Sequence, residues 1–164
     1  MIIFTPNTVI KSTEVNSNFS EAIDSTAHTN NYKFSAYRST ALTPGIADVI
    51  FNTELYDSNN NYDTATGKYT VPVTGYYQFN ASLVFDTVSA SIGYSTAIKK
   101  NGTAIVTSIG VMMYAGAYSH GFVVNKLEYC TAGDYITVAD VANCGRPLGT
   151  AISSNSFNGF FVSK

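Results

Sequence analysis

The stretch Tyr62–Phe85 constrains the fold more than any other part of the chain, because it joins turn residues to a long alternating run. The apolar positions of the run are Tyr77, Phe79, Ala81, Leu83 and Phe85. Gln78, Asn80 and Ser82 stand between them. A period of two places alternate side chains on opposite faces, which is the pattern of a strand with one buried face. The run therefore predicts a strand whose apolar side packs against a core.

Turn signals divide the rest of the chain into short segments. Asn101-Gly102, between Ala97–Lys100 and Thr103–Val106, is the clearest hairpin signal, because both central residues of such a turn need positive φ. Other runs predicted as strands are Phe34–Arg38, Asp48–Phe51, Gly121–Tyr129, Tyr135–Val141 and Phe157–Val162. Short strands separated by turns about 8 to 12 residues apart are typical of an all-β sandwich or barrel.

Residues 1–31 differ in pattern from the rest of the chain. Their apolar residues recur at helical spacing and share one face: Val15, Phe19, Ala22, Ile23 and Ala27. Ser12 or Thr13 suits the cap of this predicted helix, and Glu14 suits its first turn. A helix of about four turns is marginal alone, so its stripe must pack on something. The pattern leaves open its own domain, a trimeric stalk of copies, or a larger assembly.

The composition limits the classes of function. At 164 residues and 17.6 kDa, the chain has the size of one domain with a substantial core. Charged residues make up only 12%, and the net charge of −2 provides no basic field for phosphate groups. We therefore expect no nucleic-acid partner. No signal peptide and no run of membrane-span length is apparent, so we expect cytosolic synthesis and no membrane insertion.

Few residues are arranged for catalysis or metal binding. Ser119-His120 places a hydroxyl beside a histidine, but neighbours on a strand point to opposite faces, so we expect no enzyme. Asp57 and Asp63 flank an asparagine cluster whose oxygens are of the kind that holds Ca2+. Turn formation is the favoured explanation of these residues and a Ca2+ site is the alternative, so we expect no resident cofactor.

Two cysteines stand far apart in the sequence, Cys130 and Cys144. Their spacing favours two buried thiols and leaves a disulfide between them open. With only two histidines in the chain and no close cysteine pair, a zinc site is not expected.

A series of short motifs carries a resemblance to a known family. In order they are Phe34–Tyr37, Asn59–Asn61, Tyr62-Asp63, Thr66–Thr70, Pro72–Gly75, Tyr76–Phe79, Lys100–Gly102, Ala132–Asp134 and Ser156–Phe160. The series resembles the globular head of complement component 1q, within the complement and tumour necrosis factor jelly-roll superfamily. The resemblance implies an antiparallel double-sheet jelly-roll sandwich of about ten strands over residues 32–164, preceded by a leader with a short N-terminal helix over residues 1–31.

The same resemblance implies a homotrimer. In that family the strand equivalent to Tyr76–Val84 turns its outer side to a threefold axis. The interface positions implied in this chain are Tyr76, Gln78, Asn80, Tyr118, Phe122 and Phe157. Gln78 and Asn80 are polar where the family commonly has apolar or aromatic groups, so ordered water or side-chain hydrogen bonds are expected at the axis.

The leader resembles the opening of many bacteriophage fibre and virion proteins. The residues that carry this likeness are Pro6, Thr8, Val9, Ile10, Ser12, Val15, Asn16, Asn18 and Phe19. The likeness implies a non-enzymatic structural and adhesive protein of a virion, a trimeric head or tail fibre or knob made in the host cytoplasm. Its N-terminus would dock to other virion proteins.

The loops of such a knob would meet a host cell-surface glycan or protein. Tyr94, Tyr114 and Tyr118 suit carbohydrate stacking if they are exposed, and equally suit ordinary hairpins. The alternative function is a soluble complement-like ligand-binding module of cellular origin. A collagen-like stalk with glycine at every third position would favour that alternative, and the sequence contains none.

Overall fold

Ten β-strands form two five-stranded antiparallel sheets in the computed structural model, which describes residues 32–41, 48–86, 92–111, 119–142, 144–145, 148 and 154–164. The strands are β1 (Lys33–Tyr37), β2 (Thr53–Asp57), β3 (Tyr62–Asp63), β4 (Lys68–Thr70), β5 (Gly75–Phe85), β6 (Gly93–Lys100), β7 (Thr103–Val111), β8 (His120–Cys130), β9 (Tyr135–Ala139) and β10 (Ser156–Ser163). Sheet A has the order β2-β1-β10-β5-β8, and sheet B has the order β3-β4-β9-β6-β7. The predicted all-β, double-sheet architecture is confirmed. The predicted N-terminal helix lies outside the described residues.

Strand β5 has the two faces that its sequence predicts. Its apolar positions from Tyr77 to Phe85 are all between 0% and 2% exposed, whereas the residues between them are half-buried. β5 pairs along its whole length with β8, from Gly75 opposite Cys130 to Phe85 opposite His120, and on its other side with β10. The strand therefore lies inside sheet A with one face on the core.

The predicted hairpin is present as β6 and β7. Asn101 has φ of 50° and Gly102 has φ of 83°, the left-handed conformations that a two-residue hairpin turn requires. β6 begins at Gly93, four residues before the predicted run Ala97–Lys100. The sequence does not indicate this first part, because the middle of the strand is buried on both faces and therefore lacks alternation. The buried Asp140 contacts one side of β6, where it accepts a hydrogen bond from the buried Ser95 Oγ at 2.8 Å.

The predicted strand Asp48–Phe51 is not formed, and β2 begins after it at Thr53. The backbone of Asp48 forms an isolated bridge with Ala139 rather than a strand pairing. The backbone of Phe51 instead bonds a side chain: its N–H donates to Tyr62 Oη at 3.2 Å, and its carbonyl accepts from the same hydroxyl at 3.0 Å. β2 gave no sequence signal, because it is a mostly exposed edge strand without alternation.

An aromatic layer joins the two sheets. Phe34 of β1 stacks on Tyr69 of β4 at 4.2 Å between ring centroids and meets Phe157 of β10 edge-on at 4.8 Å. Burial raises the pKa of Tyr69 well above its usual range. A Cβ atom at Gly159 would lie 2.6 Å from the Phe79 ring and 2.9 Å from Phe34. The missing side chain at Gly159 is therefore what lets β10 lie against these rings.

A second cross-link ties two turns together at one end of the sandwich. Asp134 Oδ1 accepts from Asn101 Nδ2 at 2.7 Å, and Asp134 Oδ2 accepts from the Thr131 N–H at 2.8 Å. The Tyr135 N–H in turn donates to Asn101 Oδ1 at 2.9 Å. The hydrogen bond from Asn101, followed by the one from Thr131, lowers the pKa of Asp134. The β6–β7 turn is thus held to the β8–β9 turn by an ionised carboxylate.

Gly159→Ala is expected to destabilise the fold by about 1–3 kcal/mol, the usual cost of overpacking a filled core, because the added methyl group meets two rings. Gly93→Ala is the matched control, since a Cβ atom there lies 3.6 Å from its nearest neighbour, an ordinary contact. Urea denaturation of both variants measures the difference in free energy of unfolding. Equal stabilities would contradict the close approach of β10 to the aromatic layer.

Asp134→Asn is expected to lose stability relative to wild type at neutral pH and to lose progressively less in acid. A folded-state pKa below the unfolded value of about 3.9 stabilises above that value, and this stabilisation disappears as the pH falls through the folded pKa. Glu54→Gln is the control of opposite sign, because burial and then Asp57 raise the pKa of Glu54. Denaturation curves from neutral pH to below about pH 3 test both directions. A constant difference for Asp134→Asn would refute the assignment.

Candidate assembly surface

The outer face of sheet A follows from the alternation of β5. Tyr76, Gln78 and Asn80 point away from the core, because the residues between them are buried. The register adds Asn125 and Asn158 beside Asn80, from β8 and β10 respectively. The predicted outward direction of these three β5 residues is confirmed, and their place in an interface stays a prediction.

The exposed apolar residues are concentrated on this sheet. Of the eleven large hydrophobic residues that are exposed among the described residues, eight lie on strands of sheet A. They are Leu55, Tyr56, Tyr76, Val123, Leu127, Tyr129, Phe160 and Val162. Val123 is 62% exposed and Leu127 is 51% exposed. Six of these residues lie on the adjacent strands β10, β5 and β8, and a concentration of exposed apolar side chains of this kind is typical of an interaction surface.

Aromatic and aliphatic side chains cluster toward one end of the face. The rings of Tyr76 and Tyr129 are directly opposite in register and meet edge-on, with 5.1 Å between centroids. In the next row, Gln78 separates Leu127 from Phe160. Large, partly exposed aromatic side chains contribute strongly to protein interfaces, because they bury much area at little cost in side-chain entropy.

Asparagine amides form the row beyond this cluster. Asn125, Asn80 and Asn158 stand opposite one another on adjacent strands. Asn80 Nδ2 donates to Asn158 Oδ1 at 3.0 Å, and Gln78 Nε2 approaches Asn80 Oδ1 at 3.4 Å. The side-chain hydrogen bonds expected around these polar positions are therefore present within the single chain.

Charge is kept off the outer side of β5, β8 and β10. The outward residues of β5, β8 and β10 are uncharged along the whole register, from Gly121 to Tyr129 on β8 and from Ser156 to Val162 on β10. The ion pair Lys100–Glu128, at 2.7 Å, lies on the opposite side of β8. The hydrogen bond to Glu128 raises the pKa of Lys100. These three strands therefore present a neutral, largely apolar surface with an amide stripe, and the exposed Lys33 of β1 stands opposite Phe160 at its border.

The apolar surface continues around the edge of the sandwich. Ile109 and Val111 of edge strand β7 are 65% and 59% exposed and point to the outer side of sheet B. The two sheets come close here, since Thr96 Oγ1 donates to the Phe122 carbonyl oxygen at 2.9 Å. A Cβ atom at Gly110 would lie 2.9 Å from the Phe122 ring. Sheet A and the outer edge of sheet B thus present neighbouring apolar surfaces.

Two aromatic residues predicted for an interface face the inside of the sandwich. The prediction for Phe157 is wrong: its side chain is 0% exposed in the single chain and lies among the rings of the aromatic layer. Phe122 is half-buried and packs near Phe85 and Tyr94, so the structure does not bring it to the outer face. Tyr118 lies outside the described residues.

The tyrosines considered for carbohydrate stacking are only partly described. Tyr94 is 0% exposed and lies in β6, so of the two alternatives the structure favours a hairpin residue over a carbohydrate-stacking one. Its ring meets Phe85 at 5.2 Å between centroids, which gives it a core role. Tyr114 and Tyr118 fall outside the described residues.

The outward residues of β8 and β10 were missed by the sequence reasoning. The neighbours of Leu127 are Lys126 and Glu128, whose charges normally indicate the solvent side of a strand. Here those two charges turn to the other side of β8, where Glu128 binds Lys100. The available signal is which residues share a side of the strand. Val124 and Cys130 alternate in step with Glu128 and are buried on the same side, which leaves Leu127 on the outer side.

Groups considered for catalysis have other partners. Ser119 Oγ donates to Asp86 Oδ1 at 2.9 Å, and the ring of His120 lies 5.9 Å from that of Phe122. Both cysteines are buried and are not joined in a disulfide, and burial raises the pKa of Cys130 to about 11. The expectation that the protein is not an enzyme stays a prediction.

The two aspartates considered for Ca2+ hold turns. Asp57 accepts hydrogen bonds from the N–H groups of Asn59 and Tyr62, at 3.2 and 2.7 Å. Asp63 accepts from Thr66 Oγ1 and from the Ala65 N–H, and the first of these bonds contributes most to lowering its pKa. Among the described residues, no three acidic, histidine or cysteine side chains are grouped as a metal site. The expectation of no resident cofactor stays a prediction.

A polar cleft of about 400 Å³ opens beside the β3–β4 turn. Glu54, Asn60, Asn61, Asp63 and Thr70 are among the residues that line it. The Asn61 Nδ2 atom is buried there without a hydrogen-bond partner. Carboxylate, amide and hydroxyl groups together can hydrogen-bond a polar ligand.

In the described part of the chain, no helix has the length and hydropathy needed to cross a bilayer.

Comparison with solved structures shows what the two sheets resemble. The globular domain of zebrafish complement 1qA is 20% identical, with a TM-score of 0.63 over 81% of this chain and 98% of that chain. Eiger TNF from S. frugiperda is 10% identical, with a TM-score of 0.68 over 81% and 93% of the two chains. Murine APRIL is 11% identical, with a TM-score of 0.62 over 79% and 98%. These similarities support the predicted jelly-roll fold. At 20% identity or less, they are evidence for the fold alone.

Sequence comparison identifies the family. No curated protein matches the chain. The sequence profile described as the C1q domain matches residues 33–162, which is most of the chain. The chain therefore belongs to the C1q domain family.

Proposed function

We propose that this protein is a non-enzymatic binding module that works as a homotrimer assembled through the outer face of sheet A. C1q domains are typically trimeric ligand-binding modules. The observation that carries the proposal is the concentration of eight of the eleven exposed large hydrophobic residues on one sheet, among the residues described. The uncharged outer residues of β5, β8 and β10 suit contact with further copies of the chain, because no like charges on these strands oppose one another across such a contact.

A threefold ring needs two different surfaces on each copy. Contacts around a threefold axis are heterologous, so one patch of each protomer touches another patch of the next. The face of sheet A is the first patch. The β7 edge, with Ile109 and Val111, supplies the second patch, because it adjoins β8 and is itself apolar. In the proposed trimer this edge packs against the face of the neighbouring copy.

Leu127→Asp is expected to convert the trimer to monomer, because it places a charge within the proposed contact, where Leu127 is 51% exposed. Val141→Asp is the matched control: Val141 is 41% exposed but lies after β9, away from sheet A. Light scattering of wild type and of Val141→Asp should give three times the 17.6 kDa chain mass. A monomeric wild type at micromolar concentration refutes the trimer, and a trimeric Leu127→Asp refutes this interface.

The finer proposal is a structural and adhesive role in a bacteriophage virion, with the leader docked to other virion proteins. Its support is the leader pattern, in which Pro6, Thr8 and Val9 precede Asn16 and Phe19. Trimerisation would present three copies of the same loops to a host-surface glycan or protein. Three weak sites joined in one particle bind far more tightly than one, because the second and third contacts are intramolecular.

A cellular complement-like module is the second candidate. The observation in its favour is the likeness to zebrafish complement 1qA, which spans 98% of that protein's domain. Both candidates need the same trimer and differ in what the leader does. In the first candidate the leader attaches the domain to a particle, whereas in the second the domain acts alone.

Deleting residues 1–30 is expected to leave a folded trimer that no longer enters virus particles, because assembly lies in the sheets and docking in the leader. Incorporation is measured by quantitative blotting of purified particles that carry either the deletion or Val141→Asp, the surface control. Particles that still incorporate the deleted protein would contradict the docking role. Absence of the full-length protein from any particle would favour the cellular candidate.

A further inference from the structure

The asparagine row on sheet A lies inside the apolar face rather than at its rim. Asn80 is on β5, which is flanked by β8 and β10. Leu127 and Phe160 lie one row to one side, two residues along each strand, and Val123 lies one row to the other side. A contact that buries these apolar residues must therefore also cover Asn80.

Covering the row leaves amide groups that need new partners. Each asparagine side chain has two N–H donors and an oxygen with two acceptor positions. Asn80 Nδ2 donates to Asn158 Oδ1 at 3.0 Å, which uses one of its two N–H groups. Asn125 is exposed, so burial removes its side-chain amide from water and it then needs hydrogen-bond partners from the covering surface. A buried amide without a partner is costly, so partners must come from the surface that covers the row.

An amide is suited to meet its own copies around a symmetry axis. In a closed ring of identical groups, each member must donate to the next and accept from the previous one. A carboxylate only accepts and an ammonium only donates, whereas an amide does both. On this face the central polar groups are all amides or hydroxyls, in the rows of Asn80 and Ser82.

We propose that Asn80 and the adjoining asparagines form a ring of hydrogen bonds between three copies of this chain and thereby set the register of the trimer. This inference rests on the proposed trimer and adds the group that makes it specific. Apolar side chains supply most of the affinity, but they tolerate sliding of one copy against another. The amide ring is satisfied in only one register, so any shifted contact leaves buried amides unpaired.

Asn80→Asp is the decisive variant, because a carboxylic acid has the shape of the amide. Deprotonated, three carboxylates converge and cannot donate, so the trimer should dissociate at least about 100-fold more readily at neutral pH. Protonated, each acid both donates and accepts, so the trimer should recover below about pH 4. Within one chain the change is tolerated, since Gln78 Nε2 can still donate toward position 80 and the Asn158 amide can reorient.

Analytical ultracentrifugation at about pH 7.5 and about pH 3 measures the masses of wild type, Asn80→Asp and Asn60→Asp. Asn60→Asp adds the same charge at an exposed turn after β2, at the edge of sheet A opposite to β5 and β8, and should remain trimeric at both values. Circular dichroism confirms that each variant is folded. A wild type that is monomeric overturns the proposed trimer. A trimeric wild type whose Asn80→Asp variant is equally trimeric at neutral pH overturns the amide ring alone.

Asn80→Leu provides a second measurement that does not depend on charge. It removes the ring but keeps an apolar face, so the variant should still associate while losing a single defined state. Native mass spectrometry should then show dimers and larger species beside the trimer. A variant that gives only trimer, at the wild-type dissociation constant, would show that Asn80 does not set the register.

Discussion

The division of β5 into two faces is the constraint on which the rest of the structure depends. On the inner side, Phe79 of sheet A meets Tyr69 of sheet B at 6.1 Å between ring centroids, within the aromatic layer that joins the sheets. On the outer side, Tyr76 and Asn80 belong to the proposed contact surface. Because side chains alternate with a period of two, slipping this strand by one residue would exchange the two sets. Core and assembly surface are therefore specified by one strand, and neither can change independently.

The distribution of charge follows from this arrangement. Only 12% of the residues are charged, and those of edge strand β8 are turned to its inner side, where Lys100 binds Glu128. Lys99 likewise binds Asp48 at 2.7 Å on sheet B. A charge on the outer face of sheet A would be buried without a partner in any contact that covers it, which is costly. The position of the ion pairs thus preserves a face that is available for association.

The sequence predicted those elements whose signals are local, and it failed where the signal depends on distant partners. β5 and the Asn101-Gly102 hairpin follow from alternation and turn chemistry alone. Phe157 shows the limit, because a run with three phenylalanines does not say which of them faces inward. Its pairing with Ala81 settles the phase, and that pairing joins residues far apart in the chain. The orientation of β8 was unpredictable for the same reason. Lys126 and Glu128 lie on the inner side of the strand, and the ion pair between Glu128 and Lys100 joins residues far apart in the sequence.

The mixture of apolar and amide groups on sheet A answers two opposing requirements. A wholly apolar face would hold copies together strongly but would also attract other apolar surfaces before the correct partners arrive. Amides bind water well in the free chain, so Asn80 and Asn125 lower the cost of exposing the face. Once the face is covered, the same groups penalise every contact that leaves them unpaired. Specificity and solubility thus arise from the same side chains, whereas affinity arises from neighbours such as Leu127 and Phe160.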